Sequence, residues 1–81
     1  MKGRVLFFSL LQDITGCQEL AVDDAPATVH ALLEESIYPR WPALREWRGS
    51  MLLALDHEYI RADAPLRPGF ELALMPPVQG G

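Results

Sequence analysis

The side chains able to do chemistry are few and scattered: two histidines, His30 and His57, one cysteine, Cys17, and the adjacent acidic pairs Asp23/Asp24 and Glu34/Glu35. A metal site or a general base needs partners at a recognisable spacing, and none of these residues has them. Neighbouring side chains on a helix diverge, so Glu34 and Glu35 read as a solvated face and not as a two-carboxylate acid–base pair. The Gly-rich patterns that cradle phosphates are missing as well. A reaction carried by side chains of this chain alone is therefore not expected, and neither is a bound metal or cofactor.

The distinctive group that remains is the main-chain carboxylate of Gly81, at the end of "MPPVQGG" (Met75 to Gly81). Proline fixes φ and lacks a donor, and glycine has no Cβ. Pro76 and Pro77 thus read as a stiff stem, and Gly80 and Gly81 as a thread that passes a channel where any Cβ would clash. The segment Pro76, Pro77, Val78, Gln79, Gly80 and Gly81 is expected to be a flexible tail presented to a partner, with residues 1–75 forming one domain.

Composition points to one small domain with its apolar residues committed to a core. With 81 residues and a hydrophobic fraction of 49%, the chain suffices for one core and leaves little for a ligand pocket. The net charge of −4 and a pI near 4.9 argue against nucleic acid, because phosphate tracking needs clustered Lys and Arg. A single cysteine forms no intramolecular disulfide, which points to a reduced, cytoplasmic domain. Lys2 and Arg4 before "VLFFSLL", with "ITGC" following, resemble a lipoprotein signal. Gln12 and Asp13 interrupt the apolar run where a signal stays apolar, and the run is too short to span a membrane. It reads as a buried strand.

The elements that must position the tail follow from pattern. Residues 4–11 are a continuous apolar run, expected to be a central strand covered on both faces. "QDITG" reads as a turn, and "CQELAV" as a second strand antiparallel to the first. Thr28 is an N-cap, and Val29, Leu32 and Leu33 fall on one face of a helix that should end by Tyr38, before Pro39. "RWPALREWRG" supplies one or two further helical turns, with Trp41, Leu44 and Trp47 along one side and the tryptophans covering the open end of the core. "MLLALDHEYI" reads as a hairpin turning at Asp56 and His57. In "FELALM", Phe70, Leu72 and Leu74 alternate with Glu71, Ala73 and Met75 as a last strand. The sum is an α+β domain with a mixed sheet of four to five strands and one main helix.

"RVLFF", "TVHALL", "PLRPG" and "ELALMPPVQGG" together resemble the small subunit of molybdopterin synthase (MoaD-type), a sulfur carrier with the ubiquitin-like β-grasp fold. The ordered match covers nearly the whole chain; residues 38–50 match weakly, and Phe70 stands where the family commonly has an Asp. The resemblance implies that an activating enzyme adenylates Gly81 with ATP, that the acyl-adenylate becomes a thiocarboxylate, and that this donates sulfur to cyclic pyranopterin monophosphate. It also implies that residues 76–81 insert into a large subunit carrying the acid–base residues, within a heterotetramer. Met75 and Val78 are the expected interface residues, since interface cores favour Met and other apolar groups. Open beside it stand a sulfur carrier for thiamine or nucleoside thiolation, a ubiquitin-like modifier joined through Gly81 to lysine, and a β-grasp binding module with an incidental tail.

Overall fold

The computed structural model of the protein describes residues 1–77. Five strands form one mixed sheet in the order β2-β1-β5-β3-β4. They are β1 (Gly3–Phe7), β2 (Glu19–Val22), β3 (Leu52–Leu55), β4 (Glu58–Ile60) and β5 (Phe70–Met75). Strand β5 lies in the middle, parallel to β1 and antiparallel to β3. This is the α+β, β-grasp arrangement implied by the resemblance. The expected alternation in β5 is seen: Phe70, Leu72 and Leu74 are buried against the helix side, and Glu71, Ala73 and Met75 face the other way.

The first apolar run is divided, contrary to the expectation of one strand to Leu11. Strand β1 stops at Phe7, and Leu10–Thr15 forms a short helix, α1, closed by Gly16 at φ 75. Gly16 N–H donates to the Gln12 carbonyl at 2.7 Å, a left-handed cap for which glycine carries no steric cost. The "QDITG" segment is thus mostly helical. Leu11 belongs to the core because the helix rolls it inward, where it is fully buried.

The main helix, α2, spans residues 29–40 and outlasts the expected stop at Tyr38. Pro39 has no N–H, and its ring would clash with the carbonyl four residues back. The turn before it, Leu33–Ile37, widens to π geometry, with Tyr38 N–H reaching the Leu33 carbonyl. A wider turn gives the proline room, so the helix bulges and continues instead of ending. Its first N–H groups all have acceptors. Val29 donates to the Ala64 carbonyl at 2.9 Å, His30 to Asp63 Oδ1 at 2.8 Å and Ala31 to Thr28 Oγ1 at 3.2 Å. The His30 N–H foremost, together with the Ala64 N–H on the same Oδ1, holds the Asp63 carboxyl below its ordinary pKa. Pro42–Arg45 adds a last turn, α3.

The core joins Val29, Leu32 and Ile37 of α2 to Val5, Phe7, Leu72 and Leu74 of the sheet. Each such buried side chain contributes about 1.5–3 kcal/mol. Leu44 is fully buried, and Trp41 packs edge-to-face on Phe7 with ring centroids 5.2 Å apart. Trp41 therefore closes the core as expected; Trp47 is only half-buried.

The departure at Phe70 has a packing reason. Gly3 is its cross-strand partner, and a Cβ at Gly3 would overlap the Phe70 ring. The missing side chain at one position makes space for the large one at the other. Gly3→Ala is expected to cost about 1–3 kcal/mol in urea unfolding, with much of the loss recovered in Gly3→Ala/Phe70→Leu. Equal losses in single and double variants would disprove the coupling.

Candidate functional site

Helix α2 covers one face of the sheet. Register places the other face's side chains in rows: Leu6 beside Ala73, Ala73 beside Ala54 and Ala54 beside Tyr59, with Met75 beside Leu52 one step further. These are apolar residues in the two central strands and β3, and no described residue packs a helix over them. The expectation that β1 is covered on both faces is met on the α2 side only.

The apolar rows lie at one end of the face, where β5 runs out. Phe8 N–H donates to the Leu74 carbonyl at 3.2 Å, which sets Phe8 at the level of Met75. Phe8 is 42% exposed and Leu10 40%, high for large apolar side chains. Between them sits Ser9 at φ 50, ψ −126, closing a tight turn in which Leu11 N–H donates to the Phe8 carbonyl at 3.0 Å. This backbone region favours glycine, and a serine there stores about 1–3 kcal/mol of strain. The strained turn reverses the chain between β1 and α1 and leaves Phe8 and Leu10 outside the core.

The opposite end of the same face is charged. Arg4 contacts Glu71 at 2.6 Å and Glu19 at 3.5 Å, and His57 Nε2 lies 3.3 Å from Glu71. Asp56 Oδ1 accepts from Glu71 N–H at 3.0 Å, which ties the β3–β4 turn to β5. Asp56 and His57 both have positive φ, 51 and 73, as a two-residue hairpin turn requires.

Of the expected site residues, Met75 ends β5, half-buried, and Pro76 and Pro77 follow it outside regular structure. Val78, Gln79, Gly80 and Gly81 lie outside the described residues. The other chemically able side chains stay apart. His30 faces Asp63 at 3.8 Å, His57 faces Glu71, and Cys17 Sγ lies 3.7 Å from Thr15 Oγ1. Among the described residues, no three His, Cys, Asp or Glu are grouped to hold a metal, and no helix is long and apolar enough to cross a membrane. Phe8, Leu6, Leu52 and Tyr59 were absent from the expected interface. For Leu6 and Phe8 the signal was present in "RVLFF", whose Val5 and Phe7 point inward and therefore send Leu6 and Phe8 outward.

Residues 5–81 match the ThiS family. The chain belongs to that family. A relative in Escherichia coli strain K12 named molybdopterin synthase sulfur carrier subunit is 35% identical over 80 residues, covering 96% of this chain and 98% of the relative. Among solved structures, small archaeal modifier protein 1 from Haloferax volcanii superposes with TM-score 0.79 at 28% identity, each chain covered in full. The Helicobacter pylori complex of subunits 1 and 2 of molybdopterin-converting factor gives TM-score 0.71 at 27% identity, also over all of both chains. These ThiS-family relationships agree with the resemblance drawn from the two ends of the sequence.

If strain at Ser9 is the cost of presenting Phe8 and Leu10, Ser9→Gly should raise the unfolding free energy by about 1 kcal/mol. Urea denaturation reads this directly, and a variant no more stable than the parent would show the turn to be unstrained.

Proposed function

We propose that the chain is the sulfur-carrier subunit of a molybdopterin synthase. The observation that carries the proposal is the junction of an uncovered apolar sheet face with the strand that leads straight into Pro76, Pro77 and the Gly-Gly residues. A face of this kind favours a protein partner, and the segment leaving it bears a carboxylate that can be threaded where side chains cannot pass. The names of the Escherichia coli relative and the Helicobacter pylori complex support molybdopterin synthase over thiamine or nucleoside thiolation.

The chemistry follows from the poor leaving group on a free carboxylate. An adenylating enzyme joins the Gly81 carboxylate to the α-phosphate of ATP, expelling pyrophosphate. A sulfur nucleophile then attacks the acyl carbon; the C–S bond forms, the C–O bond to AMP breaks, and a thiocarboxylate results. In the complex, residues 76–81 enter the large subunit, and the Gly81 sulfur is transferred to cyclic pyranopterin monophosphate. Positioning and proton transfer belong to the large subunit, since the His57–Glu71 pair lies at the end of the open face opposite Met75. The assembly is a heterotetramer, two carriers on two large subunits.

Incubation with ATP, a sulfide source and the cognate activating enzyme should raise the intact mass by the difference between one sulfur and one oxygen, located at Gly81. A variant lacking Gly81 should not change. An unmodified wild-type chain with an enzyme proven competent would remove this function. A second reading, a ubiquitin-like modifier, has support in the Haloferax volcanii likeness; it calls instead for isopeptide conjugates to lysine in cell extract.

Docking is expected to use Met75 and Val78, as the sequence suggests, together with Phe8, Leu6 and Leu52 of the open face. Phe8→Asp/Met75→Asp should weaken binding to the large subunit by about 2 kcal/mol or more, roughly thirtyfold in Kd. Titration calorimetry with a matched circular dichroism spectrum measures it, and unchanged affinity would place the interface elsewhere.

A further inference from the structure

Helix α2 leaves part of its own side of the sheet open as well. Toward β3 and β4, the helix-facing Leu53 and Ile60 remain half-exposed. A trough of about 640 Å³ runs beside them, with Met51, Arg48 and Arg61 on its walls. It shares Arg48, Met51 and Leu53 with a smaller hollow of about 190 Å³ that reaches Leu33 and Tyr38.

Backbone, shape and charge together define what fits there. Strand β4 is at the edge of the sheet, and its outer side pairs with no strand among the described residues. Such an edge accepts an extended peptide as an added strand. The hollow, walled by Leu33, Met51 and Leu53, suits one apolar side chain. The rim is cationic in a chain whose net charge is −4. Arg61 has no carboxylate within 4.0 Å among the described residues. Arg48, at 3.6 Å, shares Glu34 with Arg45, at 3.2 Å, so that one carboxylate serves two guanidinium groups. His30 on the same wall faces Asp63, whose Oδ1 is occupied by backbone N–H groups. The residues lining the trough thus carry two guanidinium groups and no carboxylate, with Glu58 at the far end of β4, and this positive surplus complements acidic residues.

Location names the source of the segment. Leu52 and Tyr59 of the open face also line the trough, which thus rounds the end of β3 and β4, and Leu52 is the cross-strand partner of Met75. The trough therefore opens at the tail root, and a protein that takes the tail must bring its own surface alongside. We propose that this protein places an extended acidic segment in the trough, added along β4 as an outer strand with one apolar side chain in the hollow. The proposal rests on the docking reading above and adds to it a second contact, around the end of β3 and β4, that steers the encounter electrostatically.

The test uses the complex with the large subunit and follows association by stopped flow across a salt series. Arg48→Glu/Arg61→Glu should associate about tenfold more slowly at low salt and lose most of the salt dependence. Arg48→Lys/Arg61→Lys should retain both, and equal thermal midpoints exclude misfolding. Amide exchange at residues 58–61 should slow on complex formation, which steering alone would not produce. An unchanged rate in the Glu variant, or unchanged exchange along β4, overturns the proposal. Phe8→Asp/Met75→Asp separates the two readings: if that variant fails to bind while the Glu variant binds like wild type, only the trough is refuted. If wild type itself forms no complex, both fall.

Discussion

A sheet has two faces, and this chain has one long helix to cover them. Everything else in the molecule adjusts to that shortage. The helix takes the face with Val5, Phe7, Leu72 and Leu74, all buried. Burial there provides most of the stability available to a domain of this size, for which a single core is only just enough. The second face cannot be buried internally and is left with small apolar residues at its centre, Ala54 and Ala73, and larger ones toward the tail root. Paired charges hold its far end.

The division of the open face limits the hazard it poses. A wholly apolar face would favour indiscriminate association. Here the Arg4, Glu19, Glu71 and His57 cluster occupies one end, and the residues left for a partner gather next to Met75. The apolar region of this face is thus contiguous with the strand end that leads into residues 76–81. In the proposed complex, binding energy gained on that region would offset the entropy cost of fixing residues 76–81 in the partner.

Much of this was legible in the sequence, because local pattern and tertiary demand agree over most elements. The alternation of Phe70 to Met75 appears residue for residue as β5, and the Asp56–His57 turn sits where two strand-like runs meet. The failures share a cause. In residues 4–11, hydrophobicity without alternation does not distinguish a strand from a strand followed by a helix; the break is made by the backbone of Ser9, a residue type that does not announce a positive φ. Pro39 was given its usual weight as a helix terminator, yet a π turn absorbed it. The outward half of β1 was visible as apolar, but whether a second layer covers it depends on how many helices the chain can afford. That is a property of the whole fold and not of the segment.

The pairing of β1 with β5 joins residues 3–7 to residues 70–74. Contacts so distant in sequence form slowly, since the loop between them must be closed before they contribute. During synthesis β1 can pair with β2 early, but its other edge has to wait until residues 70–74 have emerged. Chains halted before residue 70 consequently lack both the central strand and the open face at once. The open face is therefore a product of long-range pairing, present only in molecules whose residues 3–7 and 70–74 have already found each other.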